Sequence, residues 1–199
     1  MDSKRSRLRV GEVLAPFRVT TLAHGPLELP LRTDGAFTHL QFRRFAGCPI
    51  CNLHVRRFAA ARGRLEAEGV HTVAFFHSTE ASMRPYQGDL PFPVVPDPER
   101  RWYQHFGVEQ SRVAALHPRA MLAAVKGLAS VPSNPFAGEG GAQGLPADFL
   151  LDAAGRVLAL HQGRHADDHW EVEDVLALAR SVRSQGAPSP LHTTSDAAT

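Results

Sequence analysis

The stretch FRRFAGCPICNLH, residues 42–54, contains both cysteines of the 199-residue chain, Cys48 and Cys51, separated by two residues. The segment that leads into it, FTHLQFRRF (37–45), predicts a strand, although its two arginines make it less apolar than a fully buried strand. The segment that follows, CNLHVRRFAAARGRLEAEG (51–69), is rich in helix formers and predicts one continuous helix. The two cysteines are therefore expected at the N-terminus of a helix, directly after a strand.

Two cysteines at this spacing belong to a metal site, form a structural disulfide, pack in the core as ordinary residues, or act as a redox pair. A disulfide across so small a loop constrains the unfolded chain little, so a structural disulfide is a poor interpretation of the pair. His54 offers a third zinc ligand, but the chain has no second cysteine pair to complete a structural zinc site. Covalent haem attachment requires a histidine where Asn52 stands. Two inert core residues remain an alternative, although a strand-to-helix turn is an unusual place for them.

The redox interpretation follows from the electrostatics of a helix start. The unpaired N–H groups and the positive end of the helix dipole stabilise a thiolate, and Cys-x-x-Cys pairs lower a thiol pKa from about 8.5 to roughly 3.5–7.5. The second sulfur then closes a disulfide, which gives a two-electron cycle without metal or cofactor. Arg44 is the preferred neighbouring cation among four flanking arginines, each of which is alternatively a solvated surface charge: Arg43, Arg44, Arg56 and Arg57.

Composition excludes several functional classes. A net charge of +2 and a pI near 8.8 give no reason to expect a nucleic-acid partner or an anionic membrane surface. No apolar run approaches the roughly 18 residues of a membrane span, and the basic start MDSKRSRLRVGEVLAPF lacks the apolar core of a signal peptide. We therefore expect a cytoplasmic protein in a reducing compartment, where a disulfide is transient rather than structural.

The order of elements predicts an α/β fold. Residues 11–35 resemble a hairpin that ends at the turn Asp34-Gly35, VHTVAFFHS (70–78) is a strand, and Ser78 or Thr79 caps the short helix after it. A brief strand at 94–95 is followed by a helix with Asp97 as N-cap, Pro98 at its first position and Gly107 as its stop.

The second half of the chain completes the sheet. Residues 111–130 are helical with a break before Pro118, 131–145 form a Gly/Pro-rich loop, and PADFLLDAAGRVLALHQG (146–163) is a hairpin. A last helix opens at Asp167 or Asp168. The prediction is a mixed sheet with helices on both faces, in one domain over 11–183. Residues 109–145 are an insertion, 1–10 a flexible N-terminus and 184–199 a disordered tail.

A family resemblance follows from these motifs. A βα turn with Cys-x-x-Cys, followed by β, α and a hairpin introduced by a proline, resembles the thioredoxin fold. The hairpin of residues 11–34, LPFPVVPDPERRWYQHFGV (90–108) and ADFLLDAAGRV (147–157) are more closely similar to the peroxiredoxin, or AhpC/TSA, branch. The resemblance implies a thioredoxin-like central sheet, thiol-based reduction of peroxides or disulfides, and an external thioredoxin or glutathione system as the reductant.

The resemblance also implies site residues. Cys48 and Cys51 are the catalytic pair, with Arg44, Pro49 and Pro146 as active-site support, and Pro146 occupies the place of the cis-proline of thioredoxin-like proteins. An ordinary trans proline is the alternative there. The family's threonine three positions before its peroxidatic cysteine is missing, because Phe45 stands there relative to Cys48 and Cys48 itself stands there relative to Cys51. Either cysteine can be the nucleophile; Cys48 is favoured because the first member of such pairs is commonly the more exposed.

The predicted function is a thiol peroxidase or a disulfide reductase that cycles between dithiol and disulfide. The alternative from another class is a non-catalytic redox sensor or scaffold whose insertion at 109–145 binds a partner protein. The sequence leaves the oligomeric state open, with a homodimer as one alternative. The segment HQGRHADDHW (161–170) gathers three histidines and two aspartates, but a solvated turn explains it better than a metal site, because the aspartates already serve as helix caps.

Overall fold

The sheet at the centre of the fold has five strands in the order β5-β4-β3-β6-β7. The computed structural model describes residues 8–33, 36–108, 117–135 and 144–186. β4 is parallel to β3 and to β5, whereas β6 is antiparallel to both β3 and β7. The five strands are β3 (Phe37–Arg43), β4 (Val70–Phe76), β5 (Val94–Pro96), β6 (Ala147–Leu151) and β7 (Val157–Gln162).

A separate antiparallel hairpin and six described helices surround this sheet. The hairpin pairs β1 (Phe17–Thr20) with β2 (Pro26–Leu29), as the sequence predicts. The helices are α1 (Pro49–Ala60), α2 (Arg62–Ala67), α3 (Glu80–Gln87), α4 (Arg101–His105), α5 (Pro118–Ser130) and α6 (Val172–Gly186). None of these described helices has both the length and the apolar character needed to cross a bilayer.

The sheet is buried on both faces because alternate residues of its strands enter two separate cores. One core contains Phe76 of β4 together with Phe58 of α1 and Leu176 of α6. The other contains Phe75 of β4 and Phe106, which follows α4. The fold class predicted from sequence, a mixed sheet covered by helices on both faces and preceded by a hairpin, is confirmed.

Two helix starts differ from their predictions because a tight turn intervenes. The Asp97 carboxylate does accept hydrogen bonds from the N–H groups of Arg101 and Trp102, at 3.0 and 2.9 Å. However, Arg100 has a left-handed backbone (φ 56°), so α4 begins after it and Pro98 lies outside the helix.

Asp168 does not open the last helix either. Its carboxylate accepts from the N–H of Arg164 at 2.9 Å and closes the turn before the helix, while α6 begins only at Val172 and continues past residue 183 to Gly186.

The helix predicted over 51–69 is two helices. α1 ends at Ala60, Ala61 departs from helical dihedrals (φ −93°, ψ 5°), and α2 begins at Arg62. No residue type marks this break, since alanines 59–61 are strong helix formers. The chain then turns at Gly69, whose positive φ of 65° suits glycine. The turn Asp34-Gly35 lies outside the described residues.

Strand β3 contradicts the prediction that its arginines limit its burial, because all seven of its residues are buried. Arg43 is fully buried and its Nη2 donates to Asp148 Oδ1 at 2.6 Å, while His39 Nε2 lies 3.2 Å from the same oxygen. Trp170 N–H donates to the other carboxylate oxygen at 3.3 Å. Burial raises the pKa of Asp148, but Arg43 and His39 outweigh it and hold that pKa well below its ordinary value.

Removing this carboxylate should destabilise the protein strongly. We expect Asp148→Ala to lower the free energy of unfolding by about 3–5 kcal/mol, because it leaves the Arg43 charge buried without its partner. Urea denaturation measures the loss. Glu28→Ala is the matched control, since it breaks the exposed Arg18–Glu28 pair and should cost about 0.5 kcal/mol or less. Equal losses in the two variants would contradict the assignment.

Candidate active site

The turn between β3 and α1 places both cysteines at the N-terminus of the helix, as the sequence predicts. Cys48 is the N-cap, with an extended backbone (φ −62°, ψ 115°), and Pro49 occupies the first helical turn. Proline suits that position because its missing N–H would have no helical partner. Cys48 Sγ accepts a hydrogen bond from the Cys51 N–H at 3.4 Å. The first turn of α1 thus binds the Cys48 sulfur in the way that a serine or aspartate cap is bound.

The two sulfur atoms are 2.7 Å apart, and both thiols are free. This distance lets one sulfur reach the other without any movement of the backbone. The expectation that Cys48 is the more exposed member is wrong, because Cys48 is 0% exposed and Cys51 3% exposed. Exposure therefore gives no reason to prefer Cys48 as the nucleophile.

The acidities of the two thiols do distinguish them. Burial raises the pKa of Cys48, but the Cys51 thiol, the Arg44 charge and the N–H groups of Cys51 and Ile50 outweigh it and lower that pKa to about 7. Burial raises the pKa of Cys51 well above its ordinary value, and the hydrogen bond to Cys48 and the Cys48 charge raise it further. Of the two thiols in the reduced pair, Cys48 therefore ionises first, and the Cys51 thiol donates to it.

Arg44 is the cation beside this thiolate. Its side chain is buried, and Nη1 lies 3.9 Å from Cys48 Sγ. The other three flanking arginines bind carboxylates: Arg43 binds Asp148, Arg56 binds Asp89 and Arg57 binds Glu171. Of the four candidates, the preference for Arg44 agrees with this geometry.

A pH titration of the thiolate tests this electrostatic arrangement. With a pKa of about 7, the thiolate absorbance of Cys48 should appear as pH rises through about 7, well below the titration of a free cysteine near 8.5. Arg44→Leu should move the midpoint upward by about one unit, because the anion loses its neighbouring charge. Arg56→Leu is the control and should leave the midpoint in place, since Arg56 binds Asp89. An unchanged midpoint in Arg44→Leu would contradict the role of Arg44.

A roof over the cysteine turn is formed by α5 and the residues that follow it. A side-chain carbon at Gly127 of α5 would lie 2.3 Å from the Pro49 carbonyl oxygen, and one at Gly47 would lie 2.3 Å from the Asn134 carbonyl oxygen. Asn134 N–H donates to the Gly47 carbonyl at 2.9 Å. The backbones are thus in direct contact, which requires glycine at both positions. Part of the predicted insertion therefore covers the cysteine pair.

Asn52, directly after Cys51, ties this roof to the rest of the site. Its Nδ2 donates to the carbonyls of Ala46 and Pro132, at 2.9 and 3.1 Å, and its Oδ1 accepts from Gln87. Gln87 Nε2 also donates to the Ala46 carbonyl. Sequence reasoning considered Asn52 only as a missing haem histidine and did not consider Gln87. Gln87 and Pro132 are both distant from Asn52 in sequence, so no local pattern indicates this network.

Opening the roof should expose the sulfur atoms. Gly127→Ala should push α5 away from Pro49 and raise the rate at which a bulky maleimide modifies the cysteines by about tenfold, because the added carbon overlaps backbone atoms. Gly63→Ala in α2 is the matched control: it meets no atom within 4 Å, should leave the rate unchanged and should stabilise the helix slightly. Equal modification rates in both variants would exclude a covering role for α5.

One other predicted feature differs from expectation. Leu29–Pro30 is the cis peptide bond of the described residues, so the bond before Pro146 is not cis. Pro146 packs against Gly163, where a side-chain carbon would lie 2.7 Å from its Cγ. His54 Nε2 lies 2.8 Å from the Trp170 carbonyl, and within the described residues no three His, Cys, Asp or Glu side chains form a group that could hold a metal ion.

Sequence reasoning also missed a buried histidine near Arg44. His77 is 1% exposed, follows β4, and its N–H donates to the Arg44 carbonyl at 3.3 Å. Burial and the charges of Arg100 and Arg44 lower its pKa to about 4, so it is neutral at pH 7. A position after the C-terminal end of a strand parallel to β3 was the available signal, because such strand ends share one edge of the sheet.

The fold and the paired thiols define a thioredoxin-fold thiol oxidoreductase. A model of the AhpC/TSA antioxidant enzyme family matches residues 57–165, more than half of the chain. The chain therefore belongs to the AhpC/TSA antioxidant enzyme family, which confirms the resemblance seen in the sequence and gives the protein a thiol-dependent redox function. The matched residues begin after Cys51, so the family match does not itself assign roles to the two cysteines. No curated protein matches the sequence.

Solved structures share this fold at low sequence identity. A mutant of peroxiredoxin 6 from Arenicola marina is similar with a TM-score of 0.66 and 14% identity, over 88% of this chain and 74% of that one. Peroxidoxin BcpB from Mycobacterium tuberculosis is similar with a TM-score of 0.64 and 15% identity, over 89% and 99% of the two chains. A putative thiol:disulfide interchange protein DsbE from Chlorobium tepidum reaches 0.55 and 20%, over 89% and 97%.

Proposed function

We propose that the protein reduces small peroxides, with Cys48 as the nucleophile and Cys51 as the resolving cysteine. The observation that carries this proposal is the asymmetry of the pair: Cys48 is the helix N-cap beside Arg44 with a pKa of about 7, and the Cys51 thiol lies 2.7 Å away. A thiolate, not a thiol, is the form that attacks a peroxide. At neutral pH, about half of Cys48 is in that form.

The chemistry needs two steps on the protein. The Cys48 thiolate attacks one peroxide oxygen and the O–O bond breaks, which leaves a sulfenic acid on Cys48 and releases an alkoxide or hydroxide that takes up a proton. The Cys51 sulfur then attacks the Cys48 sulfur, the S–O bond breaks and water leaves. The sulfenic O–H group departs as that water together with the proton from Cys51. Peroxide has accepted two electrons, and the protein holds a disulfide.

Burial favours a small substrate. Cys48 is 0% exposed beneath a roof that contacts the cysteine turn at Gly47 and Pro49, so a peroxide of a few atoms reaches the sulfur with less rearrangement than a protein disulfide. Phe45, itself 3% exposed, offers no hydroxyl three residues before Cys48, so the peroxide oxygens must find other donors. Arg44, already 3.9 Å from the sulfur, is the donor that we assign to this role.

A second candidate is reduction of disulfides without peroxide chemistry. The Cys-x-x-Cys pair at a helix N-terminus supports it, because the same thiolate attacks a disulfide sulfur and the second cysteine resolves the mixed disulfide. Hydrogen peroxide consumption and insulin reduction, measured with the same reductant, separate the two functions. Insulin reduction that is faster than hydrogen peroxide consumption would favour the second candidate.

Several finer expectations stay predictions. They are supply of electrons by a thioredoxin or glutathione system, an antioxidant role in the cytoplasm, a homodimer, the supporting roles of Pro49 and Pro146, and the domain limits. Independence from metal and cofactor follows from the proposed mechanism, since the two sulfurs carry both electrons.

Variants of the two cysteines test the proposed roles. One equivalent of hydrogen peroxide should convert the reduced protein to the Cys48–Cys51 disulfide, seen as loss of two thiols and of two hydrogens by mass spectrometry. Cys51→Ser should stop at a sulfenic acid on Cys48 that dimedone traps, because no resolving thiol remains. Cys48→Ser should react about 100-fold more slowly or worse, because the remaining thiol is protonated. A dimedone adduct on Cys51 in Cys48→Ser, formed at the wild-type rate, would reverse the roles.

A further inference from the structure

A crevice opens beside the cysteine turn, between α1, α5 and the loop before α6. Its volume is about 160 Å³, and Ile50, which lies between Pro49 and Cys51, is one of its lining residues. Leu53 of α1 and Ala123 of α5 supply apolar walls. Its size suits part of a small molecule rather than a protein segment.

Charges of both signs surround this crevice. Arg119 and Lys126 of α5 lie on one side, and neither makes an ion pair within the part of the chain that the structure describes. Arg57 and Glu171 also line the crevice but bind each other, with Arg57 Nη1 2.9 Å from Glu171 Oε1. Asp167 is the remaining carboxylate. The crevice thus offers two free cations to an anionic group and one carboxylate to a cationic group.

Two buried histidines add unused hydrogen-bonding capacity to the crevice. The side chain of His169 is 3% exposed, and neither ring nitrogen makes a hydrogen bond among the described residues, although Nε2 lies 3.4 Å from Asp167 Oδ1. His54 is 1% exposed; its Nε2 is taken by the Trp170 carbonyl, but Nδ1 has no described partner. Buried polar atoms without protein partners are uncommon, and these ring nitrogens are available to hydrogen-bond a bound molecule.

We propose that this crevice binds the amino-acid end of a low-molecular-weight thiol, which reduces the Cys48–Cys51 disulfide. An α-amino acid group carries a carboxylate for Arg119 and Lys126 and an ammonium for Asp167, and His169 supplies a further hydrogen bond. The proposal rests on the proposed function, because it names the class of reductant that regenerates the same cysteine pair. Ile50, between Pro49 and Cys51, lines the crevice but the two cysteines do not, so the sulfur of the bound thiol must pass Ile50 to reach the disulfide.

The reduction consumes two thiols for each disulfide. The thiolate of the first attacks one sulfur of the Cys48–Cys51 bond, which breaks, and the released cysteine sulfur takes up a proton. A second thiolate attacks the mixed disulfide, which frees the other cysteine and releases the oxidised small-molecule disulfide. Two electrons and two protons pass from the small thiols to the protein.

A panel of thiols tests the recognition. The oxidised protein is mixed with glutathione, which has the amino-acid group, 3-mercaptopropionate, which has only the carboxylate, cysteamine, which has only the ammonium, and 2-mercaptoethanol, which has neither. Rates are corrected for the thiolate fraction of each reagent. We expect glutathione to reduce the disulfide at least about tenfold faster than 2-mercaptoethanol and to saturate, with the two singly charged thiols between them.

Surface variants locate the recognition in the crevice. Arg119→Ala/Lys126→Ala should raise the half-saturating glutathione concentration about five- to tenfold and leave the rate with 2-mercaptoethanol unchanged. Asp167→Asn should weaken glutathione and cysteamine but not 3-mercaptopropionate. Arg18→Ala/Arg101→Ala is the matched control, because it removes the same charge from exposed arginines that line a different cavity.

The outcomes separate this inference from the proposed function. If hydrogen peroxide forms the disulfide but all four thiols reduce it in proportion to their thiolate fractions, the crevice inference is overturned and the proposed function stands. Equal effects of the crevice double variant and its control would overturn the inference in the same way. If peroxide forms no disulfide, the proposed function fails. The protein is then oxidised with diamide instead, and the rates of the four thiols are measured on that disulfide.

Discussion

The buried contact between Arg43 and Asp148 is the interaction on which the arrangement of the site depends. It joins β3 to β6, and the same carboxylate binds His39 and the N–H of Trp170, so one side chain holds the sheet and the loop before α6. The next residue, Arg44, lies directly after the end of β3, and its Nη1 is 3.9 Å from Cys48 Sγ. One arginine therefore stabilises the sheet and the next stabilises the thiolate.

Local signals in the sequence predict much of this fold. The hairpins, the strand before the cysteines and the start of a helix at them follow from turn residues and periodicity, and the structure confirms them. Of the two caps predicted for α3, Ser78 or Thr79, the structure shows Thr79. The break at Ala61 could not be predicted, because alanine has no preference for ending a helix. The burial of Arg43 could not be predicted either, because it depends on Asp148, a partner 105 residues away in the chain.

The site shows the same division between local and long-range causes. Placement of Cys48 and Cys51 at a helix start follows from adjacent residues, and so does an arginine near them. The burial of the pair does not, because it arises where α5 and Asn134 meet Pro49 and Gly47. The rule that the first cysteine of such a pair is the more exposed therefore fails here, and the proposal of Cys48 as the nucleophile rests on its acidity instead. The acidity of Cys48 comes from hydrogen bonds and the Arg44 charge, and it exists in spite of burial.

Burial and acidity oppose each other in this pair, and the conflict explains why so many donors surround one sulfur. Removing a thiolate from water raises its pKa, so an exposed cysteine would need fewer neighbours to reach a pKa of about 7. Cys48 reaches it through the Cys51 thiol, two backbone N–H groups and Arg44. Burial in turn strengthens each of these interactions, because little water screens them. The roof over the pair thus shields the sulfur atoms from solvent and makes the few charges beneath it effective.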